Sequence, residues 1–223
     1  KQGKRPQFNS NVSDKMKTLI QRCWSSNPYE RPSFAEIFNI LASDFSYSKE
    51  KVDEIEVKNY IKMLKDSIQV EIVDNHDKYA LSTLLFDTTK LVVEEKLGEG
   101  IAGAFYRTAL PGKNEEDTIK YTMKVMKNME NQYNQRVFLE SIEIQSLLKH
   151  NAILQVVGFS LPSEKNQYTS VFEFAPNGSL YNFLKQVKIE KSPKDYETIK
   201  AIIIFGIAAG MAFMHQNDVV LGD

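Results

Sequence analysis

The sequence predicts an α+β fold in which a small antiparallel sheet is followed by helices. Three strand-like runs follow one another from residue 91, an amphipathic helix comes next, and two more strand-like runs precede two helices. Five strands with one inserted helix, followed by helices, is the element order of an α+β domain. A length of 223 residues fits one to two such domains.

The composition is that of an ordinary globular protein. Apolar residues make up 42% and charged residues 26%, which excludes collagen-like, coiled-coil and wholly disordered chains. With 28 Lys+Arg against 29 Asp+Glu, the net charge of -1 provides no global field for nucleic acid or an anionic membrane. The one cysteine, Cys23, cannot form an intramolecular disulfide. This favours a reducing compartment, and we expect a cytoplasmic location.

We expect no membrane insertion. The first ten residues lack the hydrophobic core of a signal peptide. The longest apolar run, residues 201 to 214, is predicted to be a buried helix that is too short to cross a bilayer. Because the chain also lacks an initiator methionine, we interpret both ends as cut from something longer.

Residues 13 to 43 are predicted to form two helices joined by a turn. Ser13 or Asp14 can cap the first helix, and Asn27-Pro28 breaks it. Ser33, followed three residues later by Glu36, has the spacing of a capping box for the second helix. A piece of about 30 residues is too small for a core of its own.

Residues 44 to 88 are more polar. Val57, Ile61 and Leu64 recur at helical spacing and mark a charged helix running roughly from residue 50 to 66. The rest of this stretch is predicted to be a linker with weak strands, which places a domain boundary here.

The elements of the sheet region follow in order. Alternating apolar residues and glycine or proline turns delimit the strands, and apolar residues at helical spacing mark the helices. The predicted strands are 91–97, 104–110, 119–126, 154–159 and 168–174, and the predicted helices are 132–149, 180–187 and 198–215.

The turn Gly98-x-Gly100-x-x-Gly103 is a weak signal by itself, because two phosphate-binding architectures and many plain hairpins share it. A dinucleotide-binding fold needs a helix to begin at the third glycine. Here residues 104 to 107 continue as a strand, so the turn is predicted to be a hairpin tip. Such a tip either folds over a nucleotide, with backbone N–H groups near phosphate oxygens, or is an ordinary turn.

Residues 91 to 223 resemble the first part of a protein kinase domain, because five features occur in that family's order. Residues 97–105 resemble its glycine-rich loop, with Phe105 where the family usually has valine, and Tyr121-Thr122-Met123-Lys124 resembles its V-A-I-K strand. The other three are the αC helix with the strand after it, the gatekeeper and hinge, and the αE helix with the start of the catalytic loop. They correspond to residues 138–159, 172–180 and 208–223.

The first segment carries a separate resemblance. Leu19-Ile20-x-x-Cys23-Trp24 and Pro28-x-x-Arg31-Pro32-Ser33-Phe34 resemble the last two helices of a kinase C-lobe of the tyrosine-kinase-like sort, the alternative being a helical hairpin of unrelated origin. The order is then typical of a junction between tandem kinases or of a fused fragment. The predicted segments are 1–45, the end of a C-lobe; 46–88, a linker with a charged helix; 89–175, an N-lobe; and 176–223, the hinge exit with a partial C-lobe.

The resemblance implies ATP and Mg²⁺ as ligands and assigns roles to single residues. Lys124 would bind the α and β phosphates, backbone groups of Glu173 and Ala175 would pair with adenine, Phe172 would narrow the pocket, and Asp223 would be the catalytic base. The remaining residues implied in nucleotide binding are Gly98, Glu99, Gly100, Gly103, Phe105 and Thr122.

Three departures from the family pattern bear on catalysis. Ser141 stands where the αC carboxylate that pairs with the lysine belongs, so Glu140 and Glu143 become the candidate partners of Lys124. Leu221-Gly222 replaces the His-Arg of H-R-D. No D-F-G or catalytic-loop Asn follows, so the sequence does not locate the Mg²⁺ ligands, and no other metal site is predicted.

Two hypotheses for the function follow. The first is an ATP-binding protein kinase that phosphorylates Ser/Thr or Tyr hydroxyls of a protein substrate in the intact gene product, while this fragment alone is inactive. The second is a pseudokinase or scaffold that binds nucleotide or a partner protein without efficient catalysis. The glycine loop, Lys124 and Asp223 favour the enzyme, whereas Ser141 and Leu221-Gly222 favour the scaffold.

Overall fold

A computed structural model describes residues 5–48, 50–68, 81–164 and 167–220. The chain folds as two compact units. One, here called the helical unit, contains the described residues of Lys1–Val70, His150–Ala152 and Ser179–Asp223. The other, the sheet unit, contains those of Glu71–Lys149 and Ile153–Gly178.

The sheet unit is built on a five-stranded sheet in which every pairing is antiparallel. Its strands are β1 (Val92–Glu99), β2 (Gly103–Leu110), β3 (Ile119–Met126), β4 (Val156–Ser160) and β5 (Thr169–Glu173). The spatial order is β1-β2-β3-β5-β4. The predicted α+β fold with a five-stranded antiparallel sheet is therefore confirmed.

Helix α4 (Gln132–Leu147) packs on this sheet. The side chain of Asn131 accepts a hydrogen bond from the backbone N–H of Asn134 and caps the helix, as expected of an asparagine at this position. Phe138 is buried, and its ring makes edge contacts with Phe159 and Tyr168, the centroids being 6.1 and 5.6 Å apart. These aromatic contacts hold the helix against β4 and the start of β5.

The helical unit contains α1 (Asp14–Cys23), α2 (Phe34–Ser43), α3 (Glu54–Ile68), α5 (Leu180–Glu190) and α6 (Pro193–Gln216). The predicted capping signals are confirmed. The Ser13 side chain caps α1, and Ser33 and Glu36 form the reciprocal hydrogen bonds of a capping box at the start of α2. Each of these caps satisfies backbone N–H groups that a helix leaves without an internal partner.

The core of the helical unit joins the first three helices to α6. Its buried residues are Leu19, Phe38, Leu41, Val57, Ile61, Leu64, Phe205, Ala208 and Ala209. Phe38 and Phe205 meet edge to face, with ring centroids 5.8 Å apart. The N-terminal helical pair, too small for its own core, thus buries its apolar stripe against a helix more than 150 residues later in the chain.

The stretch predicted to be a linker takes part in this packing. Helix α3 buries Val57 and Leu64 completely. Asp53, just before it, forms an ion pair with Lys194 at 2.9 Å and donates its backbone N–H to the Thr198 hydroxyl at 2.8 Å. Weak strands were expected in the rest of the stretch 44–88; its described part near the sheet has a 3-10 turn at Leu81–Leu84 and a single bridge from Leu85 to Phe159 of β4, and another 3-10 turn follows at Thr88–Lys90. Residues 69 to 80 lie outside the described residues, and the four-segment division stays a prediction.

Helix α6 is longer than the apolar run suggested. It has 24 residues and is long and apolar enough to cross a membrane by length and composition. The prediction that this segment is too short to cross a bilayer is therefore wrong. Its buried residues, Phe205, Ala208 and Ala209 among them, pack in the helical core, as the buried side of a core helix does. The expectation that the chain does not insert into a membrane stays a prediction.

Candidate functional site

The glycine-rich turn forms the tip of the β1–β2 hairpin, as predicted. Gly98 pairs with Phe105 and Glu99 with Ala104 in the ladder. The backbone N–H of Gly100 donates to the carbonyl of Gly103 at 2.8 Å, which closes the turn. The chain then continues directly into β2, so this is not the helix-opening turn of a dinucleotide-binding fold.

Packing requires glycine at only one of the three glycine positions of this loop. A Cβ at Gly103 would lie 2.3 Å from the carbonyl oxygen of Val125 on the neighbouring strand, so the sheet itself requires glycine there. A Cβ at Gly98 or Gly100 would meet nothing within 4 Å. Packing therefore does not explain these two glycines, and the open space beside them allows a ligand to approach the backbone closely.

Glu99, the acidic residue of the glycine-rich loop, is paired with two lysines. The carboxylate of Glu99 forms ion pairs with Lys96 on β1 and with Lys127 just after β3. Hydrogen bonds from Lys127 and then Lys96 lower the pKa of Glu99 to about 2. All three side chains are substantially exposed, so the pairs contribute little to stability, but they connect the loop to the end of β3. The sequence did not predict the contact between Glu99 and Lys127.

Lys124 lies on the central strand β3, directly opposite Phe105 of β2. Its ammonium nitrogen is 5.3 Å from the centroid of the Phe105 ring, a distance typical of a cation–π contact. Thr122, two residues earlier on the same strand, is opposite Phe172 of β5. Because side chains alternate along a strand, the sheet places all four residues on one face. Four of the residues that the family resemblance implies in nucleotide binding are thus brought together.

The predicted carboxylate partners of Lys124 are not paired with it. Among the residues that the structure describes, no carboxylate oxygen lies within 4.0 Å of its ammonium nitrogen. Glu140 instead accepts a hydrogen bond from Arg136, one turn earlier on α4, at 2.7 Å. Ser141 donates its hydroxyl to the carbonyl of Phe138 at 2.7 Å. The lysine therefore keeps its aromatic contact without the ion pair of the family pattern.

The strand β5 ends in the predicted hinge. Glu173 is fixed by Gln155: its backbone N–H donates to the Gln155 carbonyl at 3.0 Å, and its carboxylate accepts from the Gln155 N–H at 2.9 Å. The N–H of Gly178 donates to the carbonyl of Ala175 at 3.1 Å. Gly178 has a φ of 64°, a left-handed conformation that favours glycine. This turn leaves Glu173 and Ala175 exposed at the end of the strand.

The expected catalytic base and the Mg²⁺ ligands are not part of the site described above. Asp223, with Leu221 and Gly222 before it, lies outside the described residues. Within the described parts of the chain, no group of three or more His, Cys, Asp or Glu side chains could hold a metal ion. The described residues therefore offer no such group for Mg²⁺.

The five-stranded sheet and the lysine-bearing strand beside a glycine-rich hairpin are features of the protein kinase family. A family model described as protein tyrosine and serine/threonine kinase matches residues 1–41 and 91–223, and the chain belongs to this family. The matched parts include α1 with most of α2, and the whole five-stranded sheet. The predicted kinase membership is confirmed, while the tandem arrangement stays a prediction.

Receptor kinases are among the curated relatives. The chain is 28% identical over 175 residues to an L-type lectin-domain containing receptor kinase IX.2 of Arabidopsis thaliana, which covers 78% of this chain and 24% of the relative. It is 32% identical over 133 residues to the tyrosine-protein kinase transmembrane receptor Ror of Drosophila melanogaster, covering 58% and 18%. The chain thus spans at most about a quarter of the length of these relatives.

Proposed function

We propose that the sheet unit binds ATP through its glycine-rich hairpin and Lys124. The observation that supports this proposal is the direct pairing of β2 with β3, in which Phe105 of the loop lies opposite Lys124. Because the two strands share one hydrogen-bonded ladder, the lysine and the loop stay adjacent for as long as the sheet is folded. A positive charge beside accessible glycine backbone is the combination that a phosphate chain requires.

Each group has a distinct task in this proposal. Lys124 provides a point charge for the α and β phosphates, and backbone N–H groups of the hairpin approach the phosphate oxygens near Gly98 and Gly100. Backbone groups of Glu173 and Ala175 pair with the adenine edge. Phe172, on the same sheet face as Thr122, limits the depth of the pocket.

In the intact protein we further propose transfer of the γ-phosphate to a protein hydroxyl, with Asp223 orienting that hydroxyl. The relatives include both a tyrosine-protein kinase and a probable receptor-like serine/threonine-protein kinase, so the proposed acceptor is a Ser/Thr or a Tyr hydroxyl. Mg²⁺, when bound, would neutralise phosphate charge. We place the reaction in the cytoplasm, where ATP is available and Cys23 stays reduced.

One observation favours a second candidate, a domain that binds nucleotide without efficient transfer. Lys124 has no carboxylate partner among the described residues, and Ser141 occupies the position where the family pattern requires one. A lysine without this partner still attracts phosphate, but it is less well oriented for catalysis. Binding of ATP with no turnover by the intact protein would favour this candidate over the enzyme.

A thermal melting experiment tests ATP binding. At ten times its Kd, ATP should stabilise the chain by about 1.4 kcal/mol, which raises Tm by about 3–6 °C for a protein of this size. Lys124→Met should abolish the rise. Lys120→Met is the matched control, because Lys120 lies on the same strand and is half exposed beside Glu94. No rise in the parent, or an equal rise with Lys124→Met, would refute the proposal.

A further inference from the structure

The helical unit contains a cavity that the proposed nucleotide site does not use. Its volume is about 210 Å³, and it lies between α1, α2, the segment 44–52 and α6. Most of its lining is apolar. The side chains that define its character are Met16, Leu41, Phe45, Val52, Ala201 and Phe205.

The charged residues of α6 that line the cavity are already paired. The carboxylate of Glu197 accepts a hydrogen bond from the Ser48 hydroxyl at 2.9 Å and also forms an ion pair with Lys200. Neither charge is therefore left to attract an ion. A charged ligand here would lose its water of hydration without gaining a free counter-charge.

Ser13 and Asp44, polar residues on the other walls, are engaged in the same way. The Ser13 hydroxyl donates to the carbonyl of Tyr47 at 2.7 Å. Asp44 forms an ion pair with Lys15, and this hydrogen bond, followed by those from Ser46, lowers the pKa of Asp44 to about 2. These walls thus offer a ligand mainly apolar surface.

The size and the aromatic walls indicate the class of ligand. An apolar cavity of about 150 Å³ is sufficient to bind benzene. The rings of Phe45 and Phe205 meet edge to face, with centroids 6.4 Å apart, and both line the cavity. A third ring can add to such an edge-to-face cluster, and the Met16 thioether makes favourable contacts with aromatic rings. We propose that this cavity binds a small, uncharged aromatic molecule that carries a short alkyl chain.

Methionine methyl NMR tests the proposal on the unmodified chain. With ¹³C-methyl-labelled methionine and propylbenzene as the probe, the Met16 signal should shift in a saturable way. The signals of Met123 and Met126 on β3 should stay in place. The proposal would be overturned if the Met16 signal stayed unchanged as the probe concentration was raised to its solubility limit. Equal shifts of the Met16, Met123 and Met126 signals would also overturn it. No nucleotide is present, so the result is independent of ATP binding.

A second ligand and a variant pair test charge and location. 3-Phenylpropionate has the same ring and chain with a carboxylate added, and it should bind at least about tenfold more weakly because the added charge must be desolvated. Ala201→Leu should fill the cavity and weaken propylbenzene about tenfold or more. Ile207→Leu, at an exposed position of the same helix outside the lining, should leave the affinity unchanged. Tighter binding of the acid, or equal affinities of both variants, would contradict the proposal.

Discussion

Replacing Gly103 by alanine should destabilise the sheet unit, whereas the same replacement at Gly100 should not. The new Cβ at position 103 would lie 2.3 Å from the Val125 carbonyl oxygen and 3.2 Å from its carbonyl carbon. These are backbone atoms of the paired strand, so no side-chain rotation can relieve the clash. Forced overpacking of this kind costs about 1–3 kcal/mol, and the rigidity of the ladder favours the upper end.

At Gly100 the added methyl group meets nothing within 4 Å, and φ is not in the left-handed region. Alanine there restricts the unfolded chain and should change stability by about 0 to +1 kcal/mol. Urea unfolding, followed by the methyl signals of Met123 and Met126 on β3, measures both free energies in the sheet itself. Equal losses for the two variants, or a larger loss at Gly100, would refute this account of the loop.

Three further predictions concern single residues. The Glu99 carboxyl should titrate near pH 2 in a ¹³C NMR titration. Its ion pairs favour the charged form, so they are fully present above the usual carboxyl pKa and are lost as the pH falls toward 2. Lys127→Met should raise the midpoint of this titration toward 4.5. Ser141→Glu should increase the ATP-dependent rise in Tm, because it gives Lys124 a carboxylate partner. An unchanged rise would show that a carboxylate at position 141 does not improve ATP binding by Lys124. Leu64→Ala should lower the free energy of unfolding of the helical unit, measured in urea, by about 2–5 kcal/mol. Met63 is 40% exposed, so Met63→Ala should lower it by less than about 1 kcal/mol, and similar losses for the two variants would contradict the core role of α3.

Local patterns predicted the sheet well. Alternation of apolar and polar residues predicted the strand 119–126, which is β3 as observed, and the helix predicted from residue 132 begins there. The glycine turn was correctly predicted to be a hairpin tip because the strand pattern resumes at residue 104. Each of these features depends on residues close together in sequence, and such features can be predicted from one sequence.

Long-range packing could not be predicted in the same way. Val57, Ile61 and Leu64 marked a helix, but an apolar stripe does not specify its partner, and the stretch was interpreted as part of a linker. The partner is α6, at the other end of the chain. The 3-10 turns at 81–84 and 88–90 lack a periodic pattern long enough to distinguish them from weak strands.

The electrostatic details of the site show the same limit. Spacing on the helix made Glu140 a candidate partner for Lys124, yet Glu140 forms its ion pair with Arg136, four residues earlier. That i,i+4 pair is visible in the sequence, but which of two cations a carboxylate contacts depends on the orientation of the helix. The contact between Glu99 and Lys127 joins residues 28 positions apart and follows from the pairing of β2 with β3.

Amide NMR during an ATP titration tests the central claim most directly. ATP should shift the backbone signals of Gly98, Gly100 and Lys124, because the proposed site holds the phosphates between the hairpin and β3. Adenosine, which lacks phosphates, should shift only signals near Glu173 and Ala175. If ATP leaves the hairpin amides unchanged, or if adenosine reproduces the full ATP pattern, the hairpin and Lys124 do not bind the triphosphate.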